Sequence, residues 1–209
     1  MTNIFNSDKP LFKLCEKIFY LSVLNLLTII CCIPLITIGA SISALYCCTF
    51  KILQDEEPHI IKLFFKSFKN NFKQSTIVHL ILLLIASLLL YDLYFTHFIV
   101  HTSYAFNTVL TYCFIIFSCL YLMASLYVYP LLAKFYNSTR NILRSAFFIS
   151  IRHLLYTILL LLITYFPIML SYIYLEFLAP VLTFYTLIGI SATAYFKSYF
   201  FELVFEKYL

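Results

Sequence analysis

The sequence predicts an all-α protein, a polytopic transmembrane helical bundle with amphipathic helices on its cytoplasmic interface. Three observations carry this. Of 209 residues, 63% are hydrophobic and only 11% charged, against about 25% charged in soluble domains. The mean hydropathy is +0.96. A soluble chain of this size has too little interior to hide that apolar surface, so lipid must solvate most of it. Third, the 14 basic residues fall into four clusters: Lys9 to Lys17, Lys51 to Lys73, Lys134 to Arg152, and Lys197 with Lys207. Long stretches without Lys or Arg separate them. The positive-inside rule produces that alternation. A nucleic-acid binder would gather its formal charge of +5 on one soluble face. The chain reads as one membrane domain, 1–209, in the plasma membrane with both termini cytoplasmic. Its first solvent partner is a bilayer with anionic headgroups.

Residues 1–17 form a polar leader. It is not a cleaved signal peptide, because the apolar run 18–50 far exceeds an h-region of about 7–15 residues. As one helix that run would reach about 50 Å, against a hydrocarbon core of about 30 Å. Pro34 and Gly39 lie in its middle, and each weakens a helix. Basic clusters flank both ends. A hairpin bent near Pro34–Gly39 fits this, crossing fully or re-entering partway. A single tilted, kinked helix is the alternative.

Residues 51–74 read as a cytoplasmic amphipathic loop. Asp55, Glu56, Glu57 and Pro58 suit the start of a helix. The stretch PHIIKLFFKSFKNNFKQ (58–74) then places Lys62, Lys66, Lys69 and Lys73 within an arc of about 60°. Ile61, Phe64, Phe65, Phe68 and Phe72 share a second arc. Lysines beside phenylalanines suit a helix lying in a membrane interface, or a solvated face packed on the bundle.

Spans follow at about 75–94, 104–129, 154–175 and 181–201. Pro130 closes the second of these and Pro167 kinks the third. DLYFTHFIVHTSYAFN (92–107) carries no Lys or Arg and belongs outside. Glu176 and Pro180 form the other outer turn. After Pro130 a second basic–aromatic stretch, with Arg140 and Arg144 on one face, repeats the layout of 51–74. The layout suggests a duplication, although similar constraints would produce it too. Both glycines lie among small residues, in TIGASISA (37–44) and LIGISATA (187–194), as close helix packing requires. Asn25 offers a hydrogen bond across helices.

Chemistry is sparse. Asp92 and Glu176 are the acids outside the basic clusters, and are candidates for substrate or proton handling only if they lie within the membrane. His97 and His101 share a helical face near Asp92, too few ligands for a metal site. His79 and His153 read as interfacial polar tips. The seven cysteines, odd in number and mostly apolar in setting, read as fillers rather than a disulfide framework. No phosphate loop, nucleophile–base pair or cofactor motif is present. The expectation is a protein that is not an enzyme and carries no metal or cofactor. It acts as an accessory or regulatory component, or else as a small transporter, alone or as a homo-oligomer.

The run LNLLTIICCIPLITIGASISALY, its continuation TFKILQDEEPHIIKLFFKSFKNNFKQST, and the later YVYPLLAKF and AFFISIRHLLYT resemble the YesL-like family of bacterial integral membrane proteins. The resemblance extends over nearly the whole chain. Relatives commonly carry a Trp in the first span, and this chain has none. The resemblance implies association with carbohydrate-uptake and polysaccharide-degradation systems of low-GC Gram-positive bacteria, hence transporter subunits as partners. It supplies no mechanism and no catalytic residues.

Overall fold

A computed structural model describes residues 10–56, 59–98 and 104–208. They form helices α1 (Pro10–Cys32), α2 (Ile38–Leu53), α3 (Ile60–Phe98), α4 (Tyr104–Lys134), α5 (Thr139–Arg152), α6 (Leu154–Ile173), α7 (Leu178–Phe184) and α8 (Ile190–Phe205). There is no strand among the described residues. Six helical stretches are long and apolar enough to cross a membrane: Lys13–Cys32, Leu35–Leu53, Ile60–Thr96, Asn107–Lys134, Leu154–Ile173 and Leu175–Phe205.

The apolar run near the amino terminus breaks where proline removes a helical N–H. α1 stops at Cys32, and Pro34 is extended at ψ 122. Thr37 closes the turn. Its N–H donates to Pro34 O at 3.0 Å and its hydroxyl to Cys31 O at 2.6 Å. That satisfies a carbonyl the end of α1 would otherwise strand. At the opposite end of the pair, Lys17 Nζ lies 2.8 Å from Asp55 Oδ1. One continuous helix would hold these positions about 57 Å apart, so the chain goes out along α1 and returns along α2. α2 ends in a hydrogen-bonded reversal, Asp55 N–H to Ile52 O (3.3 Å) and Glu56 N–H to Lys51 O (3.1 Å). Asp55 takes the left-handed conformation this needs, φ 55.

α2 occupies the centre, packed against α1, α3, α4 and α8. Its small residues Gly39, Ala40, Ser43 and Ala44 are buried. A Cβ on Gly39 would lie 2.5 Å from the Ser75 carbonyl oxygen and 2.7 Å from His79 Cβ, so only glycine admits α3 this closely. Ser43 and Ser75 hydroxyls meet at 3.0 Å, and Thr49 and Ser198 hydroxyls at 2.7 Å. Toward the end of α2, aromatic rings fill the core. Phe201 meets Tyr46 and Tyr127 edge-on at 5.8 and 5.2 Å and stacks on Phe205 at 5.8 Å.

Three features differ from the sequence expectation. The lysine–phenylalanine stretch shares one uninterrupted helix with the span that follows it; α3 has 39 residues. Asn70, Asn71, Ser75 and Thr76 are weak helix formers, but no Pro or Gly stands there to stop the ladder. α4 continues through Pro130 to Lys134; neighbouring helices in a membrane tolerate the lost hydrogen bond. The last crossing is longer than 181–201 and contains a π turn, Tyr185–Gly189, between α7 and α8.

Candidate functional site

Charged side chains gather at the end of the bundle where α1 and α3 begin and α2, α4 and α8 finish. Lys134 closes α4 there, its ammonium 5.4 Å from the Phe50 ring centre and 5.8 Å from that of Phe205. It lies 3.9 Å from Glu202 Oε1, which accepts a hydrogen bond from Gln54 Nε2 at 2.7 Å. Three helix ends are thus joined by one partly buried carboxylate.

Lys62, Lys66, Lys69 and Lys73 are exposed along the first part of α3. Of the phenylalanines beside them, Phe64 is fully buried and stacks on half-buried Phe68 at 6.3 Å, while Phe65 and Phe72 stay exposed. Arg140 and Arg144 project from α5, a separate amphipathic helix. Ile142, Ala146 and Ile149 seat α5 against α4 at helical spacing, which turns the arginines outward. The Arg144 guanidinium lies over Phe148, 5.6 Å from the ring centre. Gln74 Nε2 donates to Asn137 O at 2.6 Å, and that bond ties the lysine-bearing part of α3 to the connector before α5. The two basic stretches therefore share one end of the bundle but differ in build: one opens a long span and one stands alone.

The acids singled out in the sequence are not brought into a site. Asp92 lies half-exposed near the far end of α3, and Glu176 is exposed in the turn before α7. Neither has a hydrogen-bond or ion-pair partner among the described residues. The side chain of His97, and all of His101, lie outside the described residues, as do Glu57 and Pro58. No group of three His, Cys, Asp or Glu among the described residues could hold a metal. His79 is not an interfacial tip. It is buried between helices, its Nδ1 2.7 Å from Tyr129 Oη and its Nε2 without a hydrogen-bond partner. His153 sits half-buried at the α5–α6 junction, where its carbonyl accepts from Thr157.

Two polar side chains inside the spans stand out: Asn25 makes the cross-helix hydrogen bonds its sequence position suggested, and Lys197 was not singled out in the sequence. Asn25 is fully buried in α1 and faces the π turn. Its amide nitrogen donates to the carbonyls of Tyr185 (3.1 Å) and Thr186 (2.8 Å), and its oxygen accepts from Ser191 N–H at 3.1 Å. A π turn interrupts the i→i−4 ladder, and one side-chain amide supplies both a donor and an acceptor at the interruption. Lys197 is half-buried in α8, with its ammonium 3.5 Å from Thr164 Oγ1 in α6. No carboxylate pairs with it among the described residues. Its signal was present in the sequence, since position 197 lies inside the span 181–201.

Residues 18–93 match the model of a family described as a protein of unknown function, DUF624. The match takes in most of α1, all of α2 and most of α3, just over a third of the chain. No curated protein and no solved structure matches it.

Proposed function

We propose that this chain is a non-catalytic accessory or regulatory subunit that assembles with a transport system in a bacterial plasma membrane, both termini cytoplasmic. The resemblance to YesL-like proteins points to carbohydrate uptake. The observation that carries the reading is the joined basic surface at one end of the bundle, where the Gln74–Asn137 hydrogen bond holds the lysines of α3 beside α5. A groove of about 530 Å³ runs along α5 between Arg144, Phe148 and Arg152. Charge flanking an apolar slot suits an acidic–aromatic segment of another subunit as well as headgroups. Affinity purification in mild detergent from cells grown on several sugars tests this. Identified transporter subunits should co-purify, and Lys66→Glu with Arg144→Glu should release them. Recovery of the chain alone on every sugar would count against it.

A small transporter, alone or as a homo-oligomer, is the second reading. Lys197 within a span, Pro167 inside α6 and the π turn favour it, because interrupted helices line many transport sites. Flux into proteoliposomes decides, with Lys197→Met, Asp92→Asn and Glu176→Gln as probes.

A further inference from the structure

A groove of about 630 Å³ opens between the middle of α1 and the start of α3, lined by Phe19, Tyr20, Val23, His59, Ile61 and Lys62. That is within the roughly 300–1,000 Å³ of small-molecule sites. We infer that it holds one anionic glycerophospholipid, with the phosphate at Lys62 and His59 and an acyl chain along Phe19, Val23 and Ile61.

The chemistry is divided along its length. Lys62 and His59 stand at the end of the bundle that carries Lys17, Lys51 and Asp55. Val23 lies six residues beyond Lys17 along α1, about 9 Å deeper toward the hydrocarbon. Phe19 and Ile61 stay 65% and 54% exposed, large apolar surfaces facing each other across the opening. The neighbouring charges are otherwise engaged. Lys17 holds Asp55, Lys51 holds Glu56, and Glu16 accepts the Tyr20 hydroxyl at 2.6 Å. Lys62 has no ion pair among the described residues, and Lys66 follows it one turn later on the same face. Asp55 and Glu56 are thus paired among the described residues, while the Lys62 cation remains at the mouth of an apolar slot. A headgroup phosphate supplies the missing charge and its chain covers the slot; a free anion would supply only the first. The placement stands whether or not a transport system is the chain's partner.

Native mass spectrometry of the full chain, released from mild detergent after titration with phosphatidylglycerol or phosphatidylcholine, tests this. One phosphatidylglycerol per chain should be retained at a concentration at least fivefold lower than phosphatidylcholine requires, the scale of one basic residue near headgroups. Lys62→Gln should abolish that preference. Ile61→Trp, at an exposed position that folding tolerates, should block the groove and lower retention of both lipids. Lys207→Gln, in the short helical turn after α8, should change neither. Equal retention of the two lipids, indifference to both groove substitutions, or full displacement by millimolar inorganic phosphate would each overturn the assignment.

Discussion

Lys17 Nζ and Asp55 Oδ1 lie 2.8 Å apart and close the α1–α2 hairpin at its charged end. The Lys17 hydrogen bond, and then the charges of Lys17 and Lys13, hold the Asp55 carboxyl below the usual carboxylate range. A depressed acid contributes stability above its unfolded value of about 3.9 and loses it as pH falls through the lower folded value. Asp55→Asn should therefore lower the thermal midpoint in detergent at pH 7, and the gap to the parent chain should narrow as pH falls below about 3.9. The effect is small, because Asp55 is exposed and salt screens it. A gap that does not narrow at all as pH falls through the acid range would assign the loss to the helix-ending turn, not to the charge.

Gly39 sets how closely α2 and α3 approach. The obstacle to a side chain there is the Ser75 carbonyl, which no rotamer change can move away. Gly39→Ala should cost about 1–3 kcal/mol through overpacking, and Gly39→Leu should prevent a monodisperse fold. Thermal melting and size-exclusion profiles in detergent would check this. A near-neutral Gly39→Ala would mean the helices separate at little cost.

Asn25 should be worth more than an ordinary polar residue in a span. Asn25→Leu strands the Tyr185 and Thr186 carbonyls and the Ser191 N–H in an apolar interior, at about 1–3 kcal/mol. Ser191→Ala removes only the hydroxyl, which donates to Leu21 O (2.6 Å) and Ile188 O (2.9 Å), and leaves the N–H paired, so it should cost less. Equal losses for the two in the same melt would show that the π turn does not depend on Asn25.

Local signals carried much of this fold. Pro34 is readable as a break because a missing N–H acts on its own helix, and basic clusters mark which helix ends share a side. The small residues around Gly39 likewise announce a close crossing. What is not local is not readable: Asn25 and Tyr185 are 160 positions apart, and nothing near position 185 announces a π turn. The continuity of α3 through Asn70–Thr76 is a contest between weak propensity and tertiary support, and the support comes from α2, packed against Ser75 and His79. His79 shows the same limit. Its distance from the lysines suggests an interface, but Tyr129 and the absence of a side chain at Gly39 make room for it inside.

Lys197 allows the sharpest separation of structural from functional cost. α8 runs toward the charged end, so its Cα–Cβ bonds tilt the other way, toward mid-span. Thr164, which receives the ammonium at 3.5 Å, is ten residues into α6, about 15 Å along a core of about 30 Å. The side chain therefore reaches the middle of the apolar helix α6 instead of turning to the charged end of the bundle, and it does so with a hydroxyl and no carboxylate among the described residues. Central lysine costs about 2.5–3.5 kcal/mol on insertion scales. Lys197→Met should remove part of that and raise the thermal midpoint in nanodiscs. If the side chain is kept for assembly or transport, the same substitution should abolish transporter co-purification or liposome flux in a chain that is more stable than the parent. A lower midpoint would show instead that the ammonium serves the packing of α6 on α8.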